Sequence, residues 1–240
     1  MTDKDGLPVS TEPATAGEAF AIAEVSADSL QHRLDVYSAY SKGFYPEVNK
    51  AYEGLIGRIH GLKKAGPALG TMMPDFLLPD HEGKLIGLAS LISEGPVVLS
   101  LNRGHWCPWC RLQLRALAQI NNEVVSLGAQ IVSIVPETLS YSRSIVEENK
   151  LSFKVLTDLD LGYTLSLGLA IWVGDQVRTL YQGSGLDLAL FQNNEGWLLP
   201  LPATFILGAD GKVIARSVEP DFRKRMEPRE ILAALGHQKK

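Results

Sequence analysis

The stretch Val97-Val98-Leu99-Ser100-Leu101-Asn102-Arg103-Gly104-His105-Trp106-Cys107-Pro108-Trp109-Cys110 sets an apolar run, a polar turn and a Cys-x-x-Cys pair in immediate succession. The apolar run reads as a buried strand, and the pair that follows it opens a helix. Pro108 suits the first helical position, where its missing N–H is no loss and its fixed φ is already helical. Positions i and i+3 are neighbours on a helix, so the sulfurs of Cys107 and Cys110 share one face, close enough for a disulfide without backbone movement. Unpaired N–H groups and the macrodipole at the helix start favour a thiolate on the first cysteine. The chain has two cysteines, and these are they. Thiol redox chemistry is the leading functional expectation, and it requires the pair to stand at the mouth of the helix, open to solvent.

Outward from this stretch, a chain of 240 residues suffices for one well-buried domain with an attached arm. With 45% hydrophobic and 21% charged residues, it belongs with ordinary globular proteins and not with disordered ones. The formal charge of −4 leaves no basic excess to collect phosphates, so nucleic acid is not an expected partner. The polar, acidic start Met1-Thr2-Asp3-Lys4-Asp5 lacks the pattern of a secretory signal, and the apolar runs are far too short to cross a bilayer. A cytoplasmic location is expected, with no membrane partner. In that reducing compartment a single cysteine pair points to catalysis or metal binding rather than to a structural staple.

Residues 1 to 15 read as a disordered leader and residues 16 to 65 as a helical arm. The arm carries a short apolar stripe, Leu30, Leu34 and Tyr37, and a longer one, Val48, Tyr52, Leu55, Ile59 and Leu62. Packing against the body is the preferred role of these stripes, with a homodimer surface as the alternative. Gly66-Pro67-Ala68-Leu69-Gly70 separates the arm from a body over residues 66 to 240. In the body, strands at 76 to 78, 97 to 102, 130 to 135 and 153 to 156 alternate with helices from 107 to 127 and 138 to 149. That order argues for βαβ units and parallel pairing. Residues 158 to 200 show no clear pattern beyond a short helix. Ala209-Asp210-Gly211 then marks a hairpin between strands at 203 to 207 and 212 to 218, and a last helix runs from 228 to 235. The succession predicts a thioredoxin-like α/β fold, a central mixed sheet flanked by helices, with an N-terminal helical extension.

Pro74-Asp75-Phe76, Gly83, Gly95-Pro96-Val97-Val98-Leu99, the Arg103 to Cys110 block and Pro200-Leu201-Pro202-Ala203-Thr204-Phe205 together resemble the peroxiredoxin-like group. This is the alkyl hydroperoxide reductase and thiol-specific antioxidant family of the thioredoxin superfamily. The resemblance spans residues 66 to 236. It implies a peroxidatic cysteine at Cys110, with Cys107 where the family has a threonine and Arg103 where it has a proline. The family's remote arginine, placed before the downstream Ala-Thr-Phe strand, is replaced here by Pro202. Locally the block is also similar to thioredoxin-like disulfide oxidoreductases. That likeness implies Cys107 as the exposed nucleophile, Cys110 as the resolving thiol and Pro202 as a cis-proline facing the pair.

Around the pair, Arg103 is the nearest cation to depress a thiolate, or else a surface charge at a strand end. His105 is a charged neighbour or proton carrier, or simply exposed. Trp106 is expected to pack under the loop, and Trp109 either to shape substrate contact from a partly exposed position or to join the core. Trp172 and Trp197 fall in the unpatterned segment, as cover for the site or as core. No buried acid is evident on the preceding strand to take a proton from the resolving thiol. A closed zinc site needs four ligands and no second Cys or His cluster exists, so no metal is expected. Gly183-Ser184-Gly185 lacks the rest of any catalytic motif and reads as a turn.

The expected activity is hydroperoxide reduction through a dithiol/disulfide cycle of Cys107 and Cys110, without cofactor and regenerated by thioredoxin, glutathione or a similar thiol reductant. Disulfide reduction is the alternative enzyme activity, and a redox-sensing interaction module the non-enzymatic one.

Overall fold

The computed structural model of the chain describes residues 13 to 26 and 29 to 237. The expected leader therefore lies, up to residue 12, outside the described residues. The arm comprises α1 (Ala16–Val25), α2 (Leu30–Phe44) and α3 (Pro46–Ile59), ending in a 3-10 turn at His60–Lys64. A ribbon of β1 (Leu77–Pro79) and β2 (Leu85–Gly87) and the short α4 (Leu88–Glu94) lead into β3 (Val97–Leu101) and α5 (Pro108–Ser126). Then come β4 (Gln130–Val135), α6 (Leu139–Glu148), β5 (Lys154–Thr157) and α7 (Gly162–Ser166). The unpatterned segment holds β6 (Ala170–Trp172), α8 (Asp175–Gly183), α9 (Leu188–Gln192) and β7 (Leu198–Pro200). The chain closes with β8 (Ala203–Leu207), β9 (Val213–Val218) and α10 (Pro228–Gly236).

Five strands form the central sheet in the order β5-β4-β3-β8-β9, with β5, β4 and β3 parallel and β8 and β9 antiparallel to their neighbours. Strand β3 is central and buried along its whole length, as a strand covered on both faces must be. Its side chains alternate: Val97, Leu99 and Leu101 join the core that also holds the cysteines, and Val98 joins the one behind α5 with Leu114, Leu117 and Ile231. Where β3 is entered, Gly95 has φ +139°, and a Cβ there would meet the Gly128 carbonyl at 2.3 Å. Only glycine fits.

Helix α5 begins as the sequence predicts, with Cys107 as N-cap and Pro108 at the first helical position. The arm packs on the body rather than standing apart. Leu30, Leu34 and Tyr37 of the short stripe and Tyr52, Leu55 and Ile59 of the longer one are all buried. The carboxylate of Glu227 accepts from the N–H groups of Leu30 (3.1 Å) and Gln31 (2.8 Å), satisfying two otherwise orphaned donors at the start of α2. Ion pairs Glu24–Arg115 and Glu53–Arg223 add two further attachments at the surface. Among the described residues no helix is long and apolar enough to cross a membrane.

Candidate active site

The turn after β3 aims everything that follows. Asn102 extends the ladder through its N–H to the Ile134 carbonyl (2.9 Å) and donates its side-chain amide to the hydroxyls of Ser100 and Ser133, both at 3.0 Å. Gly104 then reverses the chain at φ +135°, where a Cβ would lie 2.5 Å from Glu137 Oε1 and 2.8 Å from Trp106 Nε1. The Cys107 N–H closes the turn on the Gly104 carbonyl at 3.2 Å.

Both thiols are buried with 0% exposure and carry no disulfide. The expected opening to solvent at the helix mouth is therefore incorrect, because aromatic side chains from the arm, α8 and the segment before α10 close over it. The Cys107 thiol donates a hydrogen bond to the Cys110 sulfur. That sulfur also accepts from the Arg103 backbone N–H (3.4 Å) and from Arg225 Nη2 (3.6 Å). Arg225 is anchored by Gln113 Oε1 (2.7 Å), the Lys224 carbonyl (2.7 Å) and the Phe222 carbonyl.

These contacts divide the two acidities. Burial opposes ionisation of Cys110, but the hydrogen bond from Cys107, the Arg225 and Arg103 guanidiniums and the Arg103 N–H outweigh it, so its thiol is held well below the usual range. Cys107 is pushed well above that range by burial, by its hydrogen bond to Cys110 and by the charge there. A thiolate on the first cysteine, as the helix terminus alone suggests, is thus overturned: the donors and cations converge on the second.

Arg103 is not a surface charge. It is 1% exposed, its Nη2 donates to Tyr181 Oη at 2.7 Å, and that oxygen lies 2.8 Å from Tyr52 Oη of α3. Its guanidinium carbon sits over the rings of Phe222 (4.0 Å) and Trp106 (4.9 Å), while Nε and Nη1 have no protein acceptor. The positive charge is held by aromatic faces and weak acids, not by a carboxylate.

Trp109 is 3% exposed, so the partly exposed alternative is corrected in favour of the core. Its indole donates to Ser38 Oγ of α2 at 2.9 Å, and its ring meets Tyr37, Tyr52 and Phe222 edge-on at 5.2, 6.1 and 5.5 Å. The arm thus lies directly on the residue between the cysteines. Trp106 is half-buried against Tyr181 (5.5 Å). With Pro108, Trp109 and the arm residues Tyr37, Val48 and Tyr52 it lines a cleft of about 240 Å³ beside the pair. Pro202 is buried, but no peptide bond among the described residues is cis, so the expected cis-proline is absent. Trp197 is core, and Trp172 is exposed beneath Arg58.

His105 is held by a carboxylate and an aromatic ring. Its Nδ1 pairs with Glu137 Oε1 at 2.7 Å, and its ring stacks on Tyr141 at 4.6 Å. Glu137, fully buried just beyond β4, is an acid that sequence reasoning did not single out, and it stands on a different strand's end from the one before the cysteine helix. Burial raises its pKa, against the opposing hydrogen bonds and charge of His105, and the charge of Cys110 acts on it. Arg225, Tyr181 and Phe222 carry no signal in the sequence, since each stands far from the pair and none sits in a motif, and Tyr52 reads there only as part of the arm's apolar stripe. Among the described residues no group of three or more His, Cys, Asp or Glu side chains could hold a metal ion. A separate cleft of 350 Å³ between Asp80 and Lys154 contains no cysteine.

Several known proteins are similar to this chain in sequence or in fold. Thiol-disulfide oxidoreductase ResA of Bacillus subtilis is 27% identical over 146 residues, 60% of this chain and 64% of its own, so the chain spans under two thirds of that relative. The Bacillus cereus protein of the same name is 23% identical over 66% of this chain and 75% of its own. Among solved structures, peroxidoxin BcpB from Mycobacterium tuberculosis has a TM-score of 0.56 at 22% identity, covering 71% of this chain and 97% of its own. A mutant of peroxiredoxin 6 of Arenicola marina has a TM-score of 0.57 at 18% identity, covering 71% and 73%. At such identities the structures speak to the fold, which is the thioredoxin-like one. The AhpC/TSA family's sequence model matches residues 69 to 216, more than half of the chain and both cysteines with it, and the chain belongs to that family.

Proposed function

We propose that this chain is a thiol peroxidase in which Cys110 attacks the hydroperoxide and Cys107 resolves the product. The observation that carries this reading is the convergence of Arg225 Nη2, the Arg103 N–H and the Cys107 thiol on the Cys110 sulfur. A thiolate is the attacking species in thiol redox chemistry, and that site favours it. The sulfur of Cys110 bonds to the terminal peroxide oxygen, the O–O bond breaks, and the alkoxide or hydroxide leaves with a proton. Cys107 then bonds to the sulfenic sulfur and water departs, leaving the Cys107–Cys110 disulfide. An external thiol of the thioredoxin or glutathione type returns the pair to dithiol, no cofactor takes part, and the cytosol suits the cycle. Because both sulfurs are buried, substrate enters by displacing part of the aromatic cover at the cleft beside Trp106 and Trp109.

A second reading, disulfide oxidoreduction, is favoured by the likeness to ResA. The two are separated by rapid-mixing oxidation of the wild type, Cys107→Ser and Cys110→Ser with peroxide, products identified by mass. A peroxidase loses peroxide consumption with Cys110→Ser and accumulates a Cys110 sulfenic acid with Cys107→Ser. Reaction of neither thiol faster than free cysteine would exclude the peroxide reading. With a disulfide substrate in place of peroxide, a mixed disulfide trapped on Cys107 of the Cys110→Ser variant would establish the other.

A further inference from the structure

Arg225 reaches the Cys110 sulfur (3.6 Å) from a stretch with no helix or strand of its own, between Val218 at the end of β9 and Pro228 at the start of α10. Such backbone keeps a fixed course where other elements hold it. Here the holding elements come from the arm. Before Arg225, the ring of Phe222 meets Tyr52 of α3 edge-on at 4.8 Å, and Arg223 Nη1 pairs with Glu53 of α3 at 2.8 Å. After it, the Glu227 carboxylate accepts from the Leu30 and Gln31 N–H groups of α2 at 3.1 and 2.8 Å. The Glu227 N–H in turn donates to the Glu230 carboxylate at 2.9 Å, which fixes it at the start of α10, and Ile231 of that helix shares a core with Leu114 and Leu117 of the cysteine helix. Arg225 therefore stands between arm-held neighbours on both sides. The arm and this stretch both lie outside the family-matched residues 69 to 216.

We propose that docking of the arm holds Arg225 against the Cys110 sulfur, with Glu227 as the positioning residue that couples the two. A carboxylate suits this place, because the start of α2 offers it two free N–H groups and the positive end of the helix dipole. When the arm lifts, Glu227 loses those donors, the stretch from Asp221 to Glu227 is released, and the sulfur loses its cation. Cover and charge are thus lost together. The other groups that act on this thiol, Cys107, Arg103 and Glu137, belong to the body, at the N-cap of α5, beyond β3 and beyond β4. The proposal concerns the thiol and not its oxidant, so it stands apart from the peroxide reading.

The test is alkylation of the reduced full chain by iodoacetamide as a function of pH, with the modified cysteine identified by mass, for the wild type, Glu227→Gln, Arg225→Gln and the double variant. The plateau rate reports access to the sulfur, and the midpoint of the profile reports the charge beside it. Glu227→Gln is expected to raise the plateau and to move the Cys110 midpoint up by about one pH unit, a loss of about tenfold in thiolate on the acid side. In the Arg225→Gln background the same substitution should raise the plateau and leave the midpoint where Arg225→Gln has put it, because the cation that Glu227 positions is gone. Arg223→Gln frees the same stretch from α3, moves the midpoint in the same direction by less, and decides the question if Glu227→Gln does not fold. A merely structural role would change the plateau or the melting temperature and leave the midpoint alone. That result, or an equal shift with and without Arg225, overturns the proposal. Peroxide consumption by the wild type tests the earlier reading separately, and neither failure entails the other.

Discussion

The body and the arm of this chain bury side chains to different ends. Around β3 the body packs Val97, Val98, Leu99 and Leu101 into aliphatic layers that would serve any protein with such a sheet. The arm meets the body through Tyr37, Ser38 and Tyr52, which touch Trp109, Phe222 and Tyr181 around the sulfurs. The body supplies both sulfurs and the two guanidiniums nearest them. What the arm adds is a cover that also hydrogen-bonds into the site. The comparison teaches that the same burial can be generic in one region and chemically specific in another.

If the body alone carries the reacting atoms, Cys110→Ser removes peroxide consumption by about three orders of magnitude or more while the melting temperature stays near that of the wild type. Residual turnover above the uncatalysed rate would break the assignment. Next in size is Trp109→Ala, which empties the space on which both stripes of the arm rest. Urea unfolding should show a loss of about 3 to 5 kcal/mol, and a thiol reagent should reach the cysteines faster. Should the sulfurs stay as protected as before, the arm is not their cover.

Arg225→Gln sharpens the electrostatic half of the comparison. In the wild type burial of the Cys110 thiol is outweighed by the hydrogen bond from Cys107 and by the two guanidiniums, which hold it well below the usual range, so the peroxide step should persist below neutrality and fail only in acid. Withdrawing the cation raises the thiol's pKa, so the acidic limb of the profile moves to higher pH while the alkaline rate is retained. An unmoved limb would mean that Arg225 is only a packing residue. Ser38→Ala deletes one partly buried hydrogen bond to Trp109 and should cost about 1 kcal/mol in the same unfolding experiment. Glu53→Gln, at an ion pair whose carboxylate side chain is 59% exposed, should change stability by less than about 0.5 kcal/mol.

Much of the body was legible in the chain. The run from Val97, Pro108 at the helix start, the strand beginning at Gln130 and the Asp210-Gly211 hairpin all stand where local pattern predicts them. The arm's stripes read correctly as packing faces. Residues 158 to 200 were opaque because β6 and β7 are three residues each, too short for any period to show. The site was half legible: Cys107, Cys110 and Arg103 converge, but openness at the helix mouth, a cis bond at Pro202 and a thiolate on Cys107 do not hold. Each of those rested on local geometry or family likeness, and each was decided by segments distant in the chain.

By itself the sequence determined the strand, the turn, the helix that starts at Pro108 and the pairing of two sulfurs on one face, because these follow from short-range sterics and periodicity. Only the tertiary structure decided which sulfur is the acid and what covers it. Arg225 stands 115 residues beyond Cys110, and Tyr52 reaches Tyr181 across 129 residues. Electrostatic fields and packing act through space, and no spacing along the chain records them.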